Sequence, residues 1–379
     1  MRKRMRDFAL EVYFSKWEFT AKYNMTGSDA ENMRMDELLA LATDEERKSL
    51  ETVSLGYTET FGAPALREAI AETYDTVKPE HLLTFAGAEE AIYVAMQVML
   101  EDTDHCIVIT PNYQAAETIP LSICEVTGVP LDIDKGWDLD IGMVEAALKP
   151  NTRLISINFP NNPTGKIIPR ASLDRLIDIC RKRGIWLFSD EVYRLIDRDP
   201  SVRLPQAVDL YERAISLNVM SKAYGLPGLR IGWLASKDRD MLVRFERYKH
   251  YLSICNSAPS EVLARVALNH RDRILDKNRA IVRSNVELLN AFFADYEHLF
   301  DWKEPDGGCV TFIRYKGVDG VESFTKRLVE ESGVLFLPSS IYRSELGPVP
   351  GDCLRVGFGR SHVPEGLTAM RNWMQRNVP

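Results

Sequence analysis

The sequence lacks an apolar run long enough to cross a membrane. Its longest one, residues 91–100, has about half of the roughly 20 residues that a spanning helix needs, and Gln97 interrupts it. The basic residues near the start are followed by Asp7 and Glu11 rather than by an apolar core, which argues against a signal peptide. We therefore expect a cytoplasmic protein that has no membrane partner.

The patterns of several other protein classes are also missing. The 6 cysteines have no paired spacing, which indicates reduced thiols, and the 6 histidines have no ligand spacing, so no metal site is expected. A net charge of −8 argues against a nucleic-acid partner, and the basic residues 1–6 are expected to form a solvated tail. No G-x-G-x-x-G follows a predicted strand, which disfavours a nucleotide-binding dehydrogenase.

The order of predicted strands and helices indicates the fold class. Apolar strand candidates alternate with helices through the first two thirds of the chain, which predicts an α/β fold with a mostly parallel sheet between helices. After about residue 265 the pattern changes to a long charged helix and then to short strands and helices. The main strand candidates lie at 81–85, 106–110, 154–158, 185–188 and 214–219.

Two domains are predicted from this change of pattern. With 379 residues the chain can bury a large core, and 45% apolar and 27% charged residues are typical of a globular protein. We expect a large domain over residues 45–265. Residues 1–44, which read as mainly helical, and 266–379 are expected to form a small α+β domain with an N-terminal arm.

Several chemically useful residues follow the predicted strands, where open α/β sheets bind their ligands. Gly87 and Ala88 open a helix after the first strand, and free N–H groups there suit a phosphate. Tyr113 follows the second strand and either stacks on a planar ligand or packs in the core. The turn 160–165 is explained by turn chemistry alone. Asp190 ends a buried strand and therefore needs a cation or a donor.

Residues 221–233 join one lysine to a small hydroxyl, a cluster of Gly and Pro, and an arginine. Lys222 follows the strand candidate 214–219, and 231–235 reads as another buried strand. A lysine held between two buried segments is partly desolvated, which lowers its pKa and makes the neutral amine available. That amine is the form that makes a Schiff base.

This segment resembles the lysine motif of fold-type I pyridoxal-phosphate enzymes, in the class I/II aminotransferase family of aspartate aminotransferase. The similarity extends from Tyr57 to the end of the chain. It implies a seven-stranded sheet, pyridoxal 5'-phosphate as the cofactor, and a homodimer with composite active sites. Lys222 is then the residue that binds the cofactor aldehyde.

The resemblance also implies roles around the cofactor ring. Asp190 keeps the pyridine nitrogen protonated, so that the ring works as an electron sink. Tyr193 and Asn162 donate to the phenolic oxygen, and Tyr113 stacks on the ring face. The residues that we expect to bind the cofactor are Gly87, Ala88, Glu89, Tyr113, Asn162, Asp190, Tyr193, Ser221, Lys222, Arg230 and Tyr57.

Phosphate and substrate contacts are implied in the same way. Arg230 and Ser221, with the N–H groups of the 87–88 turn, hold the phosphate, and Tyr57 reaches it from the neighbouring subunit. Arg355 grips the α-carboxylate of the substrate with the help of Asn162, in a bidentate contact.

The implied reaction is a ping-pong transamination between an L-amino acid and a 2-oxo acid. Lys222, freed by the incoming amino acid, serves as the general base and acid, and Asp190 and Tyr193 assist it. A carbon–sulfur lyase, a decarboxylase and an amino-acid cyclase of the same fold remain as alternatives, because the same lysine and electron sink serve all of them.

The chain departs from the family pattern at three places. Val219 stands where many relatives have a hydroxyl, residues 26–29 replace a Gly-x-Pro motif, and residues 338–342 replace a Pro-Gly. The last two border the substrate side in the family, so the amino donor and acceptor stay open. The candidates for the side-chain pocket, each as readily explained by packing, are Tyr13, Trp17, Thr26, Ser28, Tyr248 and Tyr251.

Overall fold

The computed structural model describes residues 4–377, so residues 1–3 of the basic run predicted to be a solvated tail lie outside the described residues. The helices are α1 (Ala9–Trp17), α2 (Met35–Leu41), α3 (Asp44–Glu51), α4 (Pro64–Ala71), α5 (Ala88–Met99), α6 (Ala115–Leu121), α7 (Ile141–Ala147), α8 (Arg170–Arg183), α9 (Ala207–Leu210), α10 (Arg239–Lys249), α11 (Ala258–Asn269), α12 (Arg271–Asp295), α13 (Val321–Ser332) and α14 (Val363–Asn377). The strands are β1 (Tyr23–Asn24), β2 (Leu82–Phe85), β3 (His105–Thr110), β4 (Glu125–Pro130), β5 (Thr152–Asn158), β6 (Trp186–Asp190), β7 (Ala214–Val219), β8 (Gly232–Ala235), β9 (Phe300–Asp301), β10 (Val310–Tyr315), β11 (Val334–Leu335), β12 (Leu337–Pro338) and β13 (Cys353–Gly357).

A seven-stranded sheet in the order β2-β8-β7-β6-β5-β3-β4 organises the chain. Only β8 runs antiparallel to its neighbours, and the other adjacent pairs are parallel. Its central strands are buried on both faces, as parallel strands between helices must be, which explains their continuous apolar runs. The predicted α/β class and the mostly parallel seven-stranded sheet are confirmed.

Strand β4 was not predicted from residue patterns. It lies at the edge of the large sheet beside β3, and most of its side chains are partly exposed. It also contains Gly128 and ends at Pro130. An edge strand tolerates both residues and needs no continuous apolar run, so its sequence carries a weak strand signal.

A smaller antiparallel sheet, in the order β12-β13-β10-β9, is built from the last third of the chain. Near it, β1 pairs in parallel with β11, with Tyr23 opposite Val334. The prediction that residues 1–44 are mainly helical was wrong. Turns and extended backbone fill most of the segment 18–34, because that chain must run alongside β11 and enter the edge of the ligand cavity.

The start of the described chain is anchored rather than free. Arg6 donates to Glu117 and to the carbonyl oxygen of Arg343, so the expectation of a solvated tail was wrong at this residue. Glu117 is 1% exposed, and its carboxylate also accepts from Asn112 and from Ser344. A buried carboxylate that accepts from several donors holds them together, so Glu117 fixes the arm to the large sheet and to the 343–346 loop.

We predict that Glu117→Ala lowers the free energy of unfolding by roughly 2–4 kcal/mol, because several donors lose one buried acceptor. Denaturant unfolding at a fixed protein concentration measures the difference. Glu45→Ala, on the exposed side of α3, is the control and is expected to change it by less than about 0.5 kcal/mol. Equal effects of the two substitutions would contradict the anchoring role.

Candidate active site

A cavity of about 480 Å³ lies where β5, β6 and β7 end. Helix α1 and residues 24–29 border it on the other side. The predicted site residues that line this cavity are Ala88, Glu89, Tyr113, Asn162, Asp190, Tyr193, Ser221, Lys222 and Arg230. Residues separated by more than 140 positions along the chain therefore meet in one place.

Lys222 follows β7 and points its amine at a hydroxyl. Its Nζ donates to Ser28 Oγ at 2.9 Å and lies 5.9 Å from the centre of the Tyr193 ring. Desolvation in the cavity lowers the pKa of Lys222; the Asp29 carboxylate opposes this shift, and the Arg355 guanidinium adds to it. The amine is thus biased toward its neutral, nucleophilic form, as the sequence predicted.

Asp190 is the last residue of β6, and burial raises its pKa to about 7. Its Oδ1 accepts from the backbone N–H of Val192 at 3.2 Å, which opposes that shift. Asn158, at the end of β5, donates to the Asp190 carbonyl and accepts from the Asn162 N–H. Asn158 therefore aligns two predicted site residues, and the sequence analysis missed it.

The turn before α5 forms a cradle for an anion. Gly87 has φ +99°, and a Cβ built on it would lie 2.5 Å from Nη2 of Arg230, so this position excludes a side chain. A Cβ on Gly232 would likewise lie 2.8 Å from the Gly87 backbone. The guanidinium of Arg230 thus lies against the N-terminus of a 12-residue helix. The charge of Arg230 and the positive end of the helix dipole both attract an anion there.

Tyr113 lies at the wall of the cavity with its ring 5.0 Å from that of Phe8, tilted by 50°. Its hydroxyl bonds to Glu89, and burial raises the pKa of Glu89 to about 7 while this bond opposes the shift. A carboxyl with that pKa changes its charge near neutrality. The resemblance named Glu89 without a role, and the geometry places it beside the tyrosine.

Arg355 is fully buried behind Asn162 rather than in the cavity lining. Its Nη1 donates to Asn162 Oδ1 at 2.9 Å, and its Nη2 donates to the Thr26 carbonyl at 2.6 Å. Its Nε has no acceptor among residues 4–377. A buried guanidinium N–H without a partner is costly, so this site favours an added acceptor such as a carboxylate.

The cavity also contains residues that the sequence analysis did not single out. Arg360 holds Asp29 with two nitrogens at 2.8–3.1 Å. Of the candidates for the side-chain pocket, only Ser28 lines the cavity; Tyr13, Trp17, Thr26, Tyr248 and Tyr251 do not. The aromatic lining comes instead from Phe8 and Phe14, from an arm whose position no local pattern indicates.

Tyr57 is 89% exposed and does not line the cavity of its own chain. Its predicted role, which depends on a neighbouring subunit, stays a prediction. Over the described range 4–377, no cluster of three His, Cys, Asp or Glu side chains is placed to hold a metal ion. The same part of the chain has no helix that is both long and apolar enough to cross a bilayer.

Comparison with known proteins decides the family. The sequence profile of the family described as aminotransferase class I and II matches residues 28–368. The chain belongs to this family. Members of the class I and II family named aspartate aminotransferase share its fold, as the resemblance implied.

Two relatives and one solved structure show the range of this similarity. Capreomycidine synthase of Streptomyces vinaceus is 28% identical over 366 residues, covering 95% of this chain and 92% of that protein. Arginine–pyruvate transaminase of Pseudomonas aeruginosa is 29% identical over 316 residues, covering 80% and 77%. A pyridoxal-phosphate-dependent aminotransferase from Streptococcus suis superposes with a TM-score of 0.92 at 29% identity, covering 99% of both chains.

The chain is therefore a pyridoxal-phosphate-dependent aminotransferase. Its cavity fits that cofactor on independent grounds. The Gly87 turn and Arg230 suit a phosphate, the buried Asp190 suits a pyridinium, and the desolvated Lys222 suits an aldehyde. Because the substrate is an amino acid, the unpartnered Nε of the nearby Arg355 suits the substrate carboxylate.

We predict that Asp190→Asn stabilises the cofactor-free protein more at pH 8 than at pH 5. In the unfolded chain the carboxyl ionises near its ordinary pKa, but in the folded chain it does so near 7. Its ionisation therefore destabilises the fold increasingly as the pH rises from about 4 to 7. We expect a gain at pH 8 that exceeds the gain at pH 5 by about 1–2 kcal/mol.

Denaturant midpoints of the two cofactor-free proteins, taken at both pH values, measure this difference. Glu45→Gln, an exposed carboxylate of α3 outside the cavity, should leave the midpoints unchanged. A stabilisation by Asp190→Asn that is independent of pH would refute the buried, neutral carboxyl.

Proposed function

We propose that this aminotransferase moves an amino group from an L-amino acid to a 2-oxo acid with Lys222 as its general base and acid. The observation that carries the proposal is that Lys222 and Asp190 line one cavity at the ends of adjacent strands. When bound there, pyridoxal phosphate supplies an aldehyde and a protonated ring that draws electrons from the substrate Cα.

Four residues of the cavity then act on the cofactor ring and on the substrate proton. Asp190 holds the proton on the ring nitrogen, and Tyr193 with Asn162 orients the phenolic oxygen. With the cofactor bound, Lys222 Nζ would accept the proton of the substrate Cα and later donate it, a role typically worth about 10²–10⁴-fold in rate. Ser28 lies within hydrogen-bonding distance of that nitrogen and keeps it directed into the cavity.

Further contacts position the phosphate and the substrate. Arg230, Ser221 and the N–H groups of the 87–88 turn hold the phosphate. Arg355, already bonded to Asn162, binds the α-carboxylate, which supplies the missing acceptor for its Nε. The fixed guanidinium therefore orients the amino acid before the proton moves.

We also propose the two-domain division expected from the sequence. The seven strands of the large sheet lie between residues 82 and 235, which supports a large cofactor-binding domain over 45–265. The parallel pairing of β1 with β11 supports a small domain formed by 1–44 together with 266–379.

A homodimer with composite active sites completes the proposal. Two adjacent loops, 55–60 and 250–256, bond to each other through Thr58 and Asn256. They expose a group of large apolar side chains, and such a patch is typical of a protein interface. The exposed residues of this patch are Leu55, Tyr57, Tyr251, Leu252 and Ile254.

One buried lysine supports the position of both loops. Lys249 is fully buried, and its Nζ donates at 2.8 Å to the carbonyl oxygens of Thr60 and Thr84. Burial lowers its pKa to about 8. Lys249 thereby ties the loop that carries Tyr57 to β2, the strand that leads into the Gly87 turn.

The second candidate reaction is cyclisation of an amino acid on the same cofactor. One solved structure that shares the fold is named a pyridoxal-phosphate-dependent cyclase, with a TM-score of 0.89 at 22% identity. Capreomycidine synthase, 28% identical across 95% of the chain, also carries a name other than aminotransferase. The two reactions separate by product. A transaminase forms a 2-oxo acid and a new amino acid in equal amounts and needs an acceptor, whereas a cyclase forms a cyclic amino acid and releases no 2-oxo acid.

We predict that Lys222→Ala abolishes covalent attachment of the cofactor and lowers transamination by at least about 10³-fold, while the protein stays folded. The loss of both the nucleophile and the base explains this result. Absorbance of the bound cofactor, borohydride trapping and a coupled assay of 2-oxo acid formation measure the two effects.

Lys182→Ala, on the exposed end of α8, is the matched control and should retain both properties. Full turnover by Lys222→Ala would overturn the assigned role. A Lys222→Ala protein that still traps the cofactor after borohydride reduction would point to another lysine.

We predict that Tyr57→Ala and Lys222→Ala complement each other when they are co-expressed. A mixed dimer contains one site with an intact Lys222 and with Tyr57 from the other subunit. The transamination rate per intact Lys222 should therefore exceed the rate of the Tyr57→Ala homodimer by several fold, because Tyr57 again contacts the cofactor phosphate in that site. A mixture with no gain over Tyr57→Ala alone would exclude composite sites.

A further inference from the structure

Helix α1 presents one face to the cavity and another to the protein interior. Glu11, Phe14 and Glu18 are spaced i, i+3 and i+7, so they share one side of the helix, and all three line the cavity. Leu10 and Tyr13, on a different face, pack into the core. Because the helix cannot rotate without exposing that packing, both carboxylates stay on the cavity side of α1, Glu18 half-buried and Glu11 exposed to solvent.

Contacts on either side fix α1 at this place. Gln114 accepts from the Ala9 N–H and donates to the Asp7 carbonyl, both at 2.9 Å. Arg6 adds its ion pair with the buried Glu117. The helix therefore forms a fixed wall of the cavity, opposite the strand ends that carry Lys222 and Asp190.

The charges of the strand-end side are already assigned by the proposed function. Asp190 faces the ring nitrogen of the cofactor, and Arg230 faces its phosphate. Arg360, the remaining cation of the lining, is paired with Asp29 through a two-nitrogen contact. Lys222 is needed in its neutral form. Each cation of the lining thus has another partner or role, and none forms a direct ion pair with Glu11 or Glu18.

Glu11 and Glu18 are thus unpaired carboxylates. Neither has a side-chain hydrogen bond or an ion pair with any residue in the described range 4–377. Burial raises the pKa of Glu18, and the neighbouring charge of Glu11 raises it further, although Arg360 opposes the shift. Two like charges on one helix face with no directly bonded counter-ion are destabilising, and binding of a cation removes that cost.

We infer that the amino donor has a cationic side chain, a guanidinium or an ammonium, which Glu18 and Glu11 bind from α1. The inference rests on the proposed function, since it treats the same cavity as the substrate site. It makes these two glutamates the specificity-determining residues for the donor. Arg355 binds one end of the donor and the α1 carboxylates bind the other.

The rest of this wall suits such a side chain. Phe14 lies between the two glutamates on the same face, and Phe8, directly before α1, packs its ring at a tilt against that of Tyr113. Aromatic faces pack against the aliphatic stem of a long basic side chain and attract its charged end. A short acidic side chain would meet two like charges here, and the wall contains no free guanidinium for it.

The experiment compares pairs of donors with side chains of similar length, one cationic and one neutral. L-arginine is paired with L-citrulline, and L-lysine with L-norleucine, and kcat/KM is measured on the holoenzyme with a common 2-oxo acid acceptor. We expect the wild type to prefer each cationic donor by roughly 10-fold or more, the effect of a charge-assisted hydrogen bond. Glu18→Gln should lower both ratios, and Glu11→Gln/Glu18→Gln should bring them to within about 2-fold of unity.

Binding without turnover provides a second measurement. Calorimetric titration of the holoenzyme with 5-guanidinopentanoate and with 5-ureidopentanoate, which lack the α-amine, tests recognition of the charge alone. The guanidino compound should bind roughly 10-fold more tightly to the wild type and equally to the double variant. Glu45→Gln, outside the cavity, is the matched control and should preserve the preference.

The outcomes distinguish the two proposals. If no donor of either charge is transaminated, the proposed function fails, and the titration still tests the cation site. If transamination occurs but neutral donors equal or exceed cationic ones, the inference is overturned. It is also overturned if the Gln substitutions lower the rates of charged and neutral donors equally, because that result indicates a structural effect of α1.

Discussion

The active site depends on one physical constraint: an amine and a carboxylate are both shielded from water in the same cavity. Lys222 and Asp190 end adjacent strands, and desolvation moves each toward its neutral form. Among the described residues, each side chain has one uncharged hydrogen-bond partner: a serine hydroxyl for the amine and a backbone N–H for the carboxylate. Both groups therefore remain available to a ligand that carries an aldehyde and a protonated ring.

Much of this site was predictable because its residues follow long apolar strands. Each of Gly87, Asp190 and Lys222 comes directly after a run whose burial is evident from the sequence, and parallel strands end at the same edge of a sheet. The identities of the residues at that edge then restrict the chemistry. Strand order and the fully buried position of Arg355 could not be obtained in this way, since neither leaves a local pattern.

The substrate side was predicted poorly for a physical reason. Asp29 and Arg360 pair across 331 positions of sequence, and α1 is held at the cavity by distant partners, Arg6 by Glu117 and Ala9 by Gln114. Such contacts depend on tertiary packing of short, irregular segments. Of the three departures from the family motifs, the one at residues 26–29 did point to the right region, because Ser28 bonds to Lys222.

Lys249 strengthens the link between two regions of the chain. Its buried ammonium holds the Tyr57 loop and the strand that leads to the Gly87 turn, so a shift of one is transmitted to the other. Separation of the subunits would then loosen the grip on the phosphate in each of them. In a proposed dimer of this kind, dilution of the protein dissociates the subunits and thereby releases the cofactor. The fraction of bound cofactor then reports the fraction of dimer.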